Sequence, residues 1–122
     1  MANPVIKSGV GQADIEINQG STFDVTLTYK DSAGNPIDLT GYDARMKIKQ
    51  KKSDATEIVE LSVTNGRIIL GGAAGTIRLL IDAALTATLD FPKSFYDLEL
   101  VNGSVVSRIL EGRATLSKEV TT

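Results

Sequence analysis

Aliphatic and aromatic side chains alternate with polar ones along most of this 122-residue chain. The clearest run is residues 22–30, where Phe23, Val25, Leu27 and Tyr29 share one parity and polar residues take the other. Shorter runs alternate in the same way, with inward positions at Ile15 and Ile17; Ala44, Met46 and Ile48; Val59, Leu61 and Val63; Ile77, Leu79 and Ile81; and Tyr96, Leu98 and Leu100. Because side chains on a strand point alternately to its two faces, this pattern predicts strands that bury one face and expose the other.

Turn-forming residues separate these runs at the short spacing that is typical of an all-β sandwich. Asn-Gly pairs at residues 65–66 and 102–103 predict two hairpin turns, and residues 68–70 are then expected on the return strand of the first hairpin. The glycine-rich residues 71–75 predict another turn. Since no helix alternates with the strands, a parallel sheet is not expected.

One segment departs from the period of two. Ile81, Leu85 and Leu89 recur every four residues, which predicts a short helical turn with Asp82 as its N-cap. After it, Tyr96 stands two residues before Leu98, the spacing of the tyrosine corner in immunoglobulin domains; the alternative is an ordinary half-buried strand aromatic. The predicted fold class is all-β, an immunoglobulin-like antiparallel β-sandwich of about 7–9 strands with one short helical turn.

The chain length fits a single domain. We expect residues 1–12 to form an extended N-terminal arm, residues 13–118 the β-sandwich domain, and residues 119–122 a polar C-terminal tail. The N-terminus lacks a charged start followed by a long apolar run, so no signal peptide is expected. No apolar stretch approaches the length of a membrane span, and the expected site of synthesis is the cytoplasm.

Composition limits the chemistry that the chain can perform. Thirteen basic and fifteen acidic residues leave a net charge of −2, which argues against broad nucleic-acid binding. The sequence contains no His, no Cys and no Trp, so the commonest general base, thiol nucleophiles and zinc-thiolate sites are missing. No serine has a histidine partner. We therefore expect no enzyme, no catalytic residue, no cofactor and no metal site.

Three charged or glycine-rich features still need weighing. Asp14, Glu16 and Asp24 would come together if the first two strands paired, but the chain lacks a loop with calcium ligands on alternate residues. Residues 71–75 are rich in glycine but lack the Lys-Ser/Thr ending of a phosphate-binding loop. Residues 45–52 form the densest basic run. The run could bind an acidic partner or nucleic acid. Alternatively, it is a solvated strand face whose lysines protect a sheet edge against unwanted strand pairing.

Several segments resemble small virion structural proteins of tailed bacteriophages. They are residues 17–23 (INQGSTF), 29–42 (YKDSAGNPIDLTGY), 44–48 (ARMKI), 65–68 (NGRI), 72–77 (GAAGTI), 96–100 (YDLEL) and 110–112 (LEG). The resemblance covers nearly the whole chain after Gln12, and it extends more distantly to the N-terminal domains of phage baseplate upper proteins. It implies an immunoglobulin-like sandwich present in many copies on a particle, and it transfers no active-site residue.

The leading hypothesis is an attachment module in the phage tail, neck or baseplate that docks onto other virion proteins in a homo-oligomeric or symmetric assembly. A capsid decoration protein and a carbohydrate- or host-surface-binding module are the alternatives. The expected location is the virion, with no nucleic acid and no membrane among the partners. The candidate interface residues are Pro4, Val5, Ile6, Val10, Pro36, Tyr42, Lys49, Lys51, Lys52 and Phe91.

Overall fold

The alternating segments form ten strands in the computed structural model, which describes residues 5–7 and 11–121. In chain order these are β1 (Val5–Lys7), β2 (Gly11–Gln12), β3 (Ile15–Asn18), β4 (Phe23–Lys30), β5 (Asp43–Lys49), β6 (Val59–Ser62), β7 (Ile68–Leu70), β8 (Thr76–Ile81), β9 (Ser94–Asn102) and β10 (Val105–Ser117). A 3-10 turn spans Gly72–Ala74, and the helix α1 spans Ala83–Thr86. The predicted all-β class is confirmed, and so is the short helical turn, where the Asp82 side chain accepts from the Leu85 amide at 3.0 Å.

The strands form two sheets. The smaller sheet has the order β1-β4-β8-β7, and all its pairs are antiparallel except β1 with β4. The larger has the order β2-β10-β9-β5-β6, and β3 joins it by pairing in parallel with β10 beyond β2. Within residues 1–12, which were expected to form an extended arm, the described segments β1 and β2 are therefore edge strands of the two sheets.

The core is formed by the inward-facing side chains of both sheets. Its largest fully buried side chains are Ile17, Leu39, Met46, Ile48, Leu61, Ile68, Ile77, Leu79, Ile81, Thr86, Leu98 and Ile109. Thr86 is the polar member of this set, and its hydroxyl accepts from the Gly20 amide at 3.1 Å and lies 2.8 Å from the Ser21 carbonyl. The corner that contains α1 is thus hydrogen-bonded to the turn between β3 and β4.

Residues 65–66 do not close a hairpin, so that prediction is wrong. β6 pairs with β5 in the larger sheet, whereas β7 pairs with β8 in the smaller sheet. The Asn65 side chain accepts from the Ser62 and Arg67 amides and donates to the Glu60 carbonyl, at 2.9 to 3.0 Å. These bonds, together with the positive φ of Gly66, fold the backbone into a corner that crosses from one sheet to the other.

The hairpin between β9 and β10 forms as predicted, with Asn102 opposite Val105. A register shift between Arg108 and Leu110 then places both Ile109 and Leu110 in the core. In an unbroken strand Val106 and Leu110 would share one face, but Val106 is 48% exposed because this bulge changes the parity between them. Val63, which was predicted to point inward, lies beyond the end of β6 and is 38% exposed.

The tyrosine-corner interpretation of Tyr96 is also wrong. In a tyrosine corner the hydroxyl bonds to backbone a few residues upstream. Here the buried Tyr96 donates instead to the carbonyl of Ala13, at 2.6 Å and 83 residues earlier in the chain. The bond therefore connects β9 to the link between β2 and β3.

Candidate docking surface

The outer face of the larger sheet carries a shallow groove of about 650 Å³. Its floor consists of the outward side chains of β5, β9 and β10, which the cross-strand register arranges in three rows. The rows are Lys49, Phe95 and Arg113; Lys47, Asp97 and Glu111; and Arg45, Glu99 and Arg108. Lys52, from the loop after β5, lies at the end of the groove beside the first row.

Two of the three rows are neutralised by ion pairs within the sheet. Arg45 donates to Glu99 at 2.8 Å, and this hydrogen bond raises the pKa of Arg45 above its usual value. Arg108 lies 3.1 Å from Glu111 and 3.6 Å from Asp97. These side chains are partly solvated, and such surface pairs add little to stability, so their main effect here is to cancel charge.

Lys47 is paired separately, since its ammonium lies 3.9 Å from a Glu60 carboxylate oxygen on β6. The part of the basic run that lies on β5, residues 45–49, does not lie along a sheet edge. β5 is an interior strand with β9 on one side and β6 on the other, so its lysines cannot guard an edge. The sequence interpretation as a solvated strand face therefore agrees with the structure for Arg45 and Lys47, whose side chains are partly exposed, and only its edge-guarding part is wrong.

The row around Phe95 differs from the others because its three members include two cations and no acidic side chain. Lys49 and Arg113 lie opposite Phe95 on the two neighbouring strands. The Lys52 ammonium lies 5.5 Å from the centre of the Phe95 ring, a distance that permits a cation–π contact. We call Lys49, Lys52, Phe95 and Arg113 the cationic end of the groove.

The backbone below this end is fixed by the N-terminal segment. The Ala13 carbonyl lies so close to Gly112 that a Cβ atom there would collide with it, which explains the glycine opposite Tyr96. Asp14 accepts from the Arg113 amide at 3.0 Å. Burial, reinforced by the nearby Asp14 charge, raises the pKa of Tyr96 above its usual value, so the phenol stays neutral and keeps its bond to Ala13.

The structure brings only part of the predicted interface together. Lys49 and Lys52 both line the groove, whereas the exposed Lys51 does not. Pro36 is exposed in the loop between β4 and β5, and Tyr42 is half-buried in a second, more apolar depression beside Val63, Ile69 and Leu70.

Phe91 must be corrected as an interface candidate. An interface residue needs an accessible side chain, but that of Phe91 is only 6% exposed and belongs to the core. A sugar-binding platform cannot use this ring. Pro4 and Val10 lie outside the described residues, and for Val5 and Ile6 the description covers only the backbone pairing with β4.

Sequence reasoning missed Phe95 and Arg113. A signal for Phe95 was present, because it directly precedes Tyr96 and must face the opposite side from the inward Tyr96, Leu98 and Leu100. Arg113 gave no comparable signal, since its position beside Phe95 depends on the bulge in β10.

Asp14, Glu16 and Asp24 do not meet, because β3 lies in the larger sheet and β4 in the smaller one. Asp24 instead pairs with Arg78 at 2.7 Å. Within residues 5–7 and 11–121, no group of three or more acidic side chains is placed to hold a metal ion. No helix in that same part of the chain is long and apolar enough to cross a membrane.

No protein-family model matches the chain, and no curated protein matches it either. Solved structures do match. One, described as the N-terminal domain of phage TP901-1 ORF48, has a TM-score of 0.55 at 11% identity, over 97% of this chain and 100% of that chain. An uncharacterized protein from Bacillus anthracis str. Ames has a TM-score of 0.37 at 17% identity, over 86% of this chain and 85% of that chain. At this identity the first likeness establishes a shared fold, and the second carries no argument.

Proposed function

We propose that this chain is a structural protein of a tailed phage and that it docks onto other virion proteins in the tail, neck or baseplate. The observation that carries the proposal is the fold shared with a phage protein domain over 97% of this chain and all of that domain. The sequence segments that resemble phage virion proteins support the same setting. A match over whole lengths favours a common structural role more than a shared local motif would.

The distribution of side chains supports docking as the mode of action. The inward-facing side chains of both sheets pack in the core. Only the surface side chains are therefore available for function. At the tip of the β9–β10 hairpin, Val105 is 63% exposed and Val106 is 48% exposed. An apolar pair of this size gives only a weak contact by itself. In a symmetric assembly, however, many weak contacts act together and produce stable attachment.

The proposal is tested on purified particles of the phage that encodes the chain. Gold-labelled antibody against this protein is expected on the tail, and quantitative mass spectrometry should give a copy number comparable with other tail proteins. Label distributed over the head, with a copy number near that of the capsid protein, would assign the chain to capsid decoration instead. Absence from the particle would refute a virion role altogether.

A further inference from the structure

The cationic end of the groove carries three cations beside one carboxylate, that of Asp14, which also lines the groove and accepts from the Arg113 amide at 3.0 Å. Lys49, Lys52 and Arg113 surround Phe95, and among the described residues no carboxylate oxygen lies within 4.0 Å of their charged nitrogens. Residues 1–4, 8–10 and 122 contain no Asp or Glu that could supply a missing partner. Asp14 offsets only one of these three positive charges, so an added anion is favoured there.

The rest of the groove limits what kind of anion fits. Asp97, Glu99 and Glu111 continue the same surface and are already paired with Arg45 and Arg108. A long phosphate backbone would have to run over these carboxylates, and Phe95 offers only one stacking ring. A short acidic segment fits better, because it needs positive charge only at one end of the groove.

The position of Phe95 within the sheet determines the mode of contact. β9 is flanked by β5 and β10, so its backbone groups are already hydrogen-bonded and cannot accept an added strand. A partner must therefore bind through side chains. Carboxylates can approach the three cations while an apolar group packs on the exposed part of the Phe95 ring.

We propose that the cationic end of the groove binds a short acidic segment of a neighbouring virion protein. This inference rests on the proposed function, and it adds the chemistry of the partner and the residues that recognise it. Lys49, Lys52 and Arg113 attract the carboxylates, and Phe95 supplies the apolar contact.

The test is a titration of the full-length protein with capped tetraglutamate, followed by amide chemical shifts in NMR, with capped tetraglutamine as the neutral probe. Tetraglutamate should shift the amides of residues 49, 52, 95 and 113, and tetraglutamine should not. Lys52→Glu should weaken tetraglutamate binding by about threefold or more, the scale of one surface charge contact. Lys51→Glu changes the net charge equally but lies outside the groove, so it should change the affinity much less.

Equal weakening by Lys51→Glu and Lys52→Glu would mean that only net charge matters, and the inference would fail. It would also fail if tetraglutamate shifted no amide of the cationic end, or if single-stranded oligothymidylate bound there more tightly than the peptide. These measurements need no virion. A protein that labels the tail but ignores tetraglutamate would leave the proposed function intact and remove only this inference.

Discussion

Tyr96 shows how one side chain can join distant parts of this chain. Its ring occupies the core on β9, and its hydroxyl reaches the Ala13 carbonyl. Gly112, opposite Tyr96 on β10, leaves the space that the Ala13 backbone needs. Because the three residues come from separate segments, no single stretch of sequence predicts that they interact.

Tyr96→Phe should destabilise the protein by about 0.5–1.5 kcal/mol, because the buried Tyr96 side chain would lose its hydrogen bond to the Ala13 carbonyl. Urea unfolding measures the loss. Tyr29→Phe is the matched control: Tyr29 is half-buried, and no hydrogen bond from its hydroxyl occurs among the described residues. An equal loss in both variants would show that the bond to Ala13 is unimportant.

Tyr96→Phe compared with the wild type also gives a pH test. The pKa of Tyr96 is raised in the folded protein, so the unfolded chain ionises first, near the usual tyrosine value of 10.0. The stabilising contribution is therefore complete below that pH and is lost as the pH rises toward the folded pKa. Tyr96→Phe should accordingly lose less stability than the wild type when the pH is raised past 10.0.

At the scale of elements, the corner at Asn65 decides which strands pair. Its side chain makes three hydrogen bonds to backbone groups on both sides of the corner. Asn65→Ala should cost about 1–2 kcal/mol, since such local bonds hold the turn in place of a β-ladder. Thermal unfolding compared with Thr64→Ala, an exposed neighbour, isolates the effect. A loss at Asn65 no larger than that at Thr64 would contradict this account.

That corner also shows where prediction from sequence reached its limit. The strands themselves were predictable, because burial of alternate side chains is a local pattern, as Phe23 and Leu27 show. The partner of each strand was not, because the same Asn-Gly pair can form a hairpin turn or, as here, a corner between two sheets. In the groove, Lys49 and Lys52 were found from the basic run alone. Arg113 needed the register of β10, which no local pattern contains.

At the scale of the whole molecule, strands from the beginning and the end of the described chain pair along one edge of the larger sheet. β3 pairs in parallel with the end of β10, so Ile17 lies opposite Leu116, almost the length of the chain away. Leu98, by contrast, lies opposite Leu110 across a hairpin with a tight turn. Closing a long loop costs more conformational entropy than closing a short one. The β3–β10 pairing therefore costs more entropy to form than the β9–β10 hairpin does.

This difference predicts the order in which the fold assembles. Ile17 and Leu98 are both fully buried, so Ile17→Ala and Leu98→Ala should each cost about 2–5 kcal/mol at equilibrium. If the hairpin forms first and the N-terminal strand docks last, Ile17→Ala should mainly accelerate unfolding and give a φ-value near zero. Leu98→Ala should slow folding and give a clearly larger value. Stopped-flow refolding in urea measures both. A φ-value for Ile17 equal to or above that for Leu98 would mean that the chain ends come together before the hairpin is complete, and that the N-terminal strand belongs to the folding nucleus.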